Sequence, residues 1–344
     1  MSTPDLTVYG AGVWGLSVAF EAARRGARVR VIDPGGVAAG ASGGVVGALA
    51  PHVPEAWNEK KAFQLDCLLS AEAFWRAVAD AGGGDPGFGR IGRVQPLPDA
   101  AAVERARARE TGARELWRGA AEWRVTDSPP GPAPHSPTGY WVHDTLSGRL
   151  FPRRATQALA DALRALGGEV LREGEPAGAV LWATGHAGLL ELNAGRSRLV
   201  GAGVKGQAAR LGADLGPAPQ VYAGGLYIVP HADGTVAVGS TSERDWTDAT
   251  TTDEQLEALI AAARRLMPVL AEAPVIERWA GVRPRARSRG PMLGAHPDRP
   301  GEFIANGAFK IGFGLAPGVA RLMADLVLDG RDAIPPDFRP EASL

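Results

Sequence analysis

Leu6-Thr-Val-Tyr-Gly10-Ala-Gly12-Val-Trp-Gly15, an Ala-rich run to Gly26, and then Arg28-Val-Arg-Val-Ile32-Asp33 form the stretch on which the fold turns. Residues 6–10 read as a short buried strand, 16–25 as a helix, and 28–32 as a second strand ending on an acid. Strand, glycine turn, helix, strand and acid in that order make a dinucleotide fingerprint, with Asp33 at the expected distance from the glycines. Gly10 permits the tight turn, Gly12 lets backbone approach a pyrophosphate, and Gly15 lets the helix pack closely on the strand. The helix start, with Val13 and Trp14 in its first turn, offers free amides and a favourable dipole to phosphates. Asp33 can accept hydrogen bonds from a ribose and disfavours a 2′-phosphate. The alternative is a glycine-rich structural turn that binds nothing.

The fingerprint alone does not separate NAD from FAD. The next segment, Gly40-Ala41-Ser42-Gly43-Gly44-Val45-Val46-Gly47-Ala-Leu-Ala-Pro51-His52, is too glycine-rich for a packed helix. A flexible linker need not keep Val45, Val46 and Leu49 apolar. Such backbone suits lying flat against a large planar ring, with Ser42 available to a phosphate or ribityl hydroxyl.

With 344 residues, 45% hydrophobic, 22% charged and a formal net charge of -1, the chain reads as a soluble globular protein of one large domain or two intergrown ones. Without a basic excess, nucleic acid is a poor partner. The single cysteine, Cys67, allows neither an internal disulfide nor a cysteine-rich zinc site, and the six histidines show no metal-ligand spacing. Asp5 and the early glycines interrupt the apolar start, which lacks a basic flank, so it reads as strand and helix rather than signal peptide or membrane span. A cytoplasmic enzyme is the expectation.

Further motifs follow: Val204-Lys205-Gly206-Gln207, Leu226-Tyr227-Ile-Val-Pro230, Val238-Gly-Ser240, Trp279-Ala-Gly-Val-Arg283-Pro284 and Leu315-Ala-Pro317. With the fingerprint and the Ala41-Ser42 loop, their order resembles the D-amino-acid oxidase/glycine oxidase superfamily of FAD-dependent oxidoreductases, most closely bacterial glycine oxidase and sarcosine-oxidase-like enzymes. The resemblance implies an α/β protein: a Rossmann-type FAD-binding domain interleaved with a mixed or antiparallel-sheet α+β substrate domain. Residues 1–80, 140–197 and 284–344 are assigned to the first, and 81–139 and 198–283 to the second. Helices are expected near 60–79, 100–112, 153–166, 253–266 and 317–329, and an antiparallel substrate roof from 198 to 246. The expected cofactor contacts are Gly10, Gly12, Val13, Trp14, Gly15, Asp33, Ala41, Ser42, Gly43, Gly44, Val45, Val170, Thr184, Gly185, Gly312, Phe313, Gly314 and Leu315. Relatives place a longer hairpin after Val170, where only 171–178 intervenes here, so contacts to the adenine side are expected to be reduced or rearranged.

Four residues are candidates for chemistry. Arg283 either grips a substrate carboxylate through two parallel bonds, as its counterpart in the glycine oxidase group does, or closes an internal salt bridge. Tyr227 either faces the active site, its hydroxyl sharing the carboxylate or ordering the amine, or is a core aromatic. Lys310 stands in Ala308-Phe309-Lys310-Ile311-Gly312 where glycine oxidase has an arginine in His-Phe-Arg-Asn-Gly; it either neutralises an anion near the flavin or turns outward. His52 either orients substrate or is a loop histidine. The resemblance implies non-covalent FAD and oxidative deamination of a small amino acid or N-alkyl amino acid, of glycine, sarcosine or D-amino-acid type. A hydride would pass to flavin N5, and O2 would reoxidise the flavin to give H2O2. The alternatives are a dehydrogenase with another electron acceptor, a tRNA-modifying oxidase module, and a non-catalytic flavin-binding protein.

Overall fold

The computed structural model describes residues 3–344. In chain order its strands are β1 (Leu6–Tyr9), β2 (Val29–Ile32), β3 (Ala48–Leu49), β4 (Arg93–Pro96), β5 (Trp123–Thr126), β6 (Trp141–Asp144), β7 (Gly148–Arg149), β8 (Glu169–Leu171), β9 (Ala179–Trp182), β10 (Gly201–Leu211), β11 (Gln220–Ala223), β12 (Leu226–Pro230), β13 (Val236–Gly239), β14 (Val275–Ala286), β15 (Met292–Ala295) and β16 (Phe303–Asn306). The helices are α1 (Val13–Arg24), α2 (Glu59–Val78), α3 (Ala100–Leu116), α4 (Pro152–Ala165), α5 (Gly185–Asn193), α6 (Glu254–Leu266) and α7 (Gly312–Asp329).

Two large sheets with helices packed on them make an α/β architecture. The first has six strands in the order β15-β16-β9-β1-β2-β8. β1 pairs in parallel with both β2 and β9, which places the fingerprint strand in the middle of the sheet. Leu6 and Val8 of β1 and Leu16, Val18, Ala19 and Phe20 of α1 are fully buried, so the helix is locked between its own sheet and α7. The second sheet has eight strands in the order β14-β10-β13-β12-β11-β4-β6-β5. Its spine is the long antiparallel pair β10 and β14, in register from Gly201↔Ala286 to Arg210↔Glu277. α6 packs on this sheet over a separate core containing Leu211, Val238, Leu256 and Ile260.

The two sheets exchange chain segments. β6 pairs antiparallel with β4 and β5 in the larger sheet, although the sequence reading assigned residues from 140 onward to the dinucleotide half. Likewise β14 continues to Ala286, past the expected boundary at 284. In both places cross-strand hydrogen bonding holds the segment where composition gave no sign. α7 starts at Gly312 rather than near Pro317, which lies inside it. The proline forfeits one helical hydrogen bond, and burial of residues 314–320 against α1 and α2 outweighs that loss. No helix among the described residues is long and apolar enough to cross a membrane.

A small apolar cluster joins the glycine-rich loop to the larger sheet: Val45, Phe151, Ala208, Val229 and Ala237. Beside it the His231 ring stacks on Phe151 at 4.5 Å, and its Nε2 has no hydrogen-bond partner. Burial pushes the His231 imidazole down to about 4. The native state therefore holds this ring neutral, whereas an unfolded chain protonates it near the ordinary histidine value. The depressed native value means that the stabilisation is complete above the unfolded value and is lost as pH falls toward about 4. His231→Leu is expected to lose about 2 kcal/mol less stability than the parent between pH 7 and pH 5 in urea unfolding. Equal losses in parent and variant would sink this account.

Candidate active site

The glycine turn is built by close backbone approach. Gly10 has φ +109°, and a Cβ on it would lie 2.3 Å from the Ala183 carbonyl oxygen at the end of β9. A Cβ on Gly15 would fall 2.0 Å from the Gly10 carbonyl oxygen, so α1 can start here only over a glycine. Gly12 caps α1 without a side-chain hydrogen bond. Asp33 accepts from the Ala11 amide at 2.8 Å and the Gly35 amide at 2.9 Å, which fixes its carboxylate across the turn. Ser42 Oγ accepts from the Val13 amide at 2.9 Å, tying the glycine-rich loop to the first turn of α1.

That loop forms a short helical turn, Ala41–Gly43, and then runs extended into β3. Arg153 on α4 donates to the Gly43 carbonyl from Nε at 3.2 Å and from Nη2 at 3.0 Å. Sequence reading did not single out Arg153; the loop's glycines were the signal, and their anchor lies more than a hundred positions away. Gly44 leaves room for its neighbour, since a Cβ there would meet the Trp279 ring at 3.3 Å. Trp279 thereby touches the loop from the larger sheet.

The same face of that sheet carries the candidate chemistry. Direct pairings run Trp279↔Ala208, Ala208↔Gly239, Gly239↔Tyr227 and Tyr227↔Tyr222 across β14, β10, β13, β12 and β11. Arg283 lies farther along β14 on the face of Trp279, because side chains alternate along a strand. Its guanidinium crosses Gly206, where a Cβ would sit 2.1 Å from Nη2. Nη1 donates to Ser240 Oγ at 2.8 Å, and Nη2 donates to the Thr241 carbonyl at 2.6 Å and the Lys205 carbonyl at 3.2 Å. The buried Nε–H has no partner. Burial pushes the guanidinium down to about 10, opposed by the Glu243 carboxylate, and leaves it charged at neutral pH. Arg283 closes no internal salt bridge within 4.0 Å among the described residues.

Tyr227 stacks near Tyr222, with ring centroids 4.6 Å apart. Its hydroxyl accepts from Arg93 Nη1 at 3.3 Å. Arg93 in turn donates from Nε to Asp144 Oδ2 at 2.9 Å, and the side chains are 5% and 0% exposed. Burial raises the Tyr227 phenol above its ordinary value despite the opposing Arg93 charge. The Arg93–Asp144 pair was invisible in the sequence because its members meet only through β4–β6 pairing.

The remaining candidates are placed as follows. His52 is held by Gln64, whose side-chain oxygen accepts from the His52 amide at 2.8 Å and also contacts Nδ1. Lys310 is exposed at the edge of the site; packing and the Arg283 charge both lower its ammonium value. Trp14 is buried and donates from Nε1 to the Gly312 carbonyl at 2.9 Å, joining α1 to α7. Leu315 packs in the core, and Phe313 is half-buried beside it. Val170 lies in β8 opposite Val31, while Thr184 and Gly185 open α5 immediately after β9. No cluster of three or more His, Cys, Asp or Glu side chains able to hold a metal occurs among the described residues.

The glycine turn between β1 and α1, the loop tied to it through Ser42, and the larger-sheet face bearing Arg283 and Tyr227 make the candidate site. The chain belongs to the family described as DAO, FAD dependent oxidoreductase, which matches residues 5–326. It is similar to glycine oxidase of Geobacillus kaustophilus, 26% identical over an alignment of 377 positions, gaps included, that covers 94% of this chain and 92% of that protein. A solved structure of glycine oxidase from that organism matches with a TM-score of 0.83 at 24% identity, covering 98% of both chains. A shorter stretch of 126 residues is 39% identical to glycine oxidase of Pseudomonas aeruginosa, but covers only 36% of this chain and 34% of that protein. The residues present fit FAD: Gly10 and Gly15 let the turn close tightly under α1, Asp33 is fixed beside that turn, and the Ala41–Gly43 loop is tied to the first turn of α1 through Ser42.

Proposed function

We propose that the chain oxidises the carbon–nitrogen bond of a small amino acid or N-alkyl amino acid, with FAD held non-covalently and O2 as electron acceptor. The observation that carries this reading is Arg283, a half-buried cation with no carboxylate within 4.0 Å among the described residues, on the sheet face shared with Tyr227. FAD, when bound, supplies the hydride-accepting N5 and the route of electrons to O2. The protein's own work is orientation and charge. The Arg283 guanidinium attracts the substrate carboxylate, and its bonds to Ser240, Lys205 and Thr241 fix its orientation. Arginine has no proton acceptor, so the Tyr227 oxygen accepts from Arg93 and its own O–H is left to donate to the carboxylate. The Tyr227 ring adds an apolar wall. The substrate amine must be neutral for its lone pair to assist, and this needs no strong protein base. His52 and His231, already engaged by Gln64 and Phe151, agree with that economy. Lys310 adds a point charge without a planar fork. Cys67 is buried with its thiol pushed up to about 12, which supports non-covalent attachment.

Anaerobic titration of the FAD-loaded protein with glycine, sarcosine, proline and paired D- and L-amino acids tests the proposal through flavin absorbance. Bleaching by one class and rapid recovery in air are expected. Bleaching with slow recovery would make the protein a dehydrogenase, and no bleaching across the panel would remove small amino acids as substrates.

A further inference from the structure

Three cations converge on one aromatic ring at the edge of this site. The guanidinium carbons of Arg283 and Arg285 lie 5.8 and 5.7 Å from the Phe309 centroid, and Lys310 Nζ lies 5.7 Å from it. Arg283 and Arg285 are two positions apart on β14, so both side chains leave the same face of the strand, about 6–7 Å apart along it. Among the described residues, none of the three has a carboxylate within 4.0 Å.

The acid that does attract Arg283, Glu243, is already shared. Its carboxylate faces Lys205 Nζ at 3.9 Å and accepts from the Gln207 amide at 3.1 Å and from the Thr241 hydroxyl. The side chains of Arg285 and Lys310 make no hydrogen bond to other described residues, whereas that of Arg287, the next outward position on this stretch, is tied to the Ser343 carbonyl at 2.9 Å. Like charges held around one ring repel, and a single substrate carboxylate answers only one of them. The surplus is matched by a ligand with a second negative group.

We propose that the substrate is an amino acid or N-substituted amino acid carrying a second carboxylate. Arg283 holds the carboxylate next to the amine, and Arg285 receives the distal one with Lys310 beside it. This assignment rests on the amine-oxidation reading for the substrate's nitrogen, but the pairing of two anionic groups with two arginines has its own test. A two-residue step along a strand suits two carboxylates joined by a short spacer. Arg285 provides the planar fork that Lys310 lacks, so it sets the preference for a carboxylate over its amide.

Succinate and its monoamide, succinamate, have similar size, differ by one charge and contain no oxidisable amine. Titrated into the FAD-loaded protein and followed by the shift in flavin absorbance, succinate is expected to bind at least about 10-fold more tightly. In Arg285→Gln that ratio is expected to collapse toward one, and in Arg285→Lys to fall to an intermediate value. FAD content checks that each variant is folded, and the lysine variant carries the test if the glutamine variant is not. Equal binding of the two probes by the parent protein, or an undiminished ratio in the variants, overturns the proposal. Aspartate against asparagine, in both enantiomers, then reads the same preference as flavin bleaching. Failure of every amine to bleach the flavin while succinate keeps its advantage would sink amine oxidation and retain the second anion site. Bleaching by glycine with no dicarboxylate preference would do the reverse.

Discussion

Arg283→Met is expected to lower kcat/KM for the amino acid proposed as substrate by about 1,000-fold while FAD content stays near that of the parent. The expected size follows from losing charge-assisted hydrogen bonds in a desolvated site, about 1.5–3 kcal/mol each, at about 1.4 kcal/mol per tenfold in rate. Methionine keeps much of the arginine stem's volume, so the apolar contacts across Gly206 survive. The substitution also removes the donors to Ser240, Lys205 and Thr241. Some rise in KM through loosening of that segment is therefore expected as well. Arg283→Lys separates the two contributions: a point charge restores attraction without the fork, and recovery of about 10-fold is expected. Steady-state kinetics on both variants, normalised to bound flavin, provide the measurement. A folded, flavin-loaded Arg283→Met enzyme with parental kcat/KM would remove Arg283 from substrate binding.

Arg93→Met produces the largest expected loss of stability, about 3–5 kcal/mol, because it leaves the Asp144 carboxylate buried without its cation. Asp144 still accepts from the Ser147 amide at 2.8 Å, but one backbone bond does not offset a fully desolvated charge. The double variant Arg93→Met/Asp144→Asn is expected to recover most of the loss, since the asparagine oxygen can keep the Ser147 bond and no net charge is then buried. Denaturant unfolding of the parent, both single variants and the double closes the cycle. A cost below about 1 kcal/mol for Arg93→Met would show that the pair is structurally dispensable. The same variant removes the donor to the Tyr227 hydroxyl, so in the surviving folded fraction KM rises more than kcat falls.

The dinucleotide half was legible because its determinants are local. Gly10, Gly12, Gly15 and Asp33 lie within a single βαβ unit, and each residue type answers a steric or hydrogen-bonding demand inside it. The roles proposed for Arg283 and Tyr227 rest on resemblance, and the sheet places both on the face carrying Trp279. What the sequence did not reveal depends on strand register between distant segments. Arg93 meets Asp144 through β4–β6 pairing, and Ser240 reaches Arg283 only because β13 lies beside β10. Arg153 is similar: its position on α4 gives no hint that it holds Gly43. The start of α7 was misplaced for a different reason, since Pro317 looks like a helix boundary when burial of the turn before it is unknown.

The strand order of the smaller sheet has a consequence for the chain during synthesis. β1 and β2 emerge early, yet their neighbours β9 and β8 follow well over a hundred residues later, and β15 and β16 arrive only near residue 300. The nascent chain must carry an apolar strand pair and α1 without their final cover while most of the molecule is made. High contact order of this kind predicts slow refolding and exposure to aggregation before the last segment docks. Because α7 completes the packing of α1, release of the C-terminal region is the event that closes the dinucleotide half.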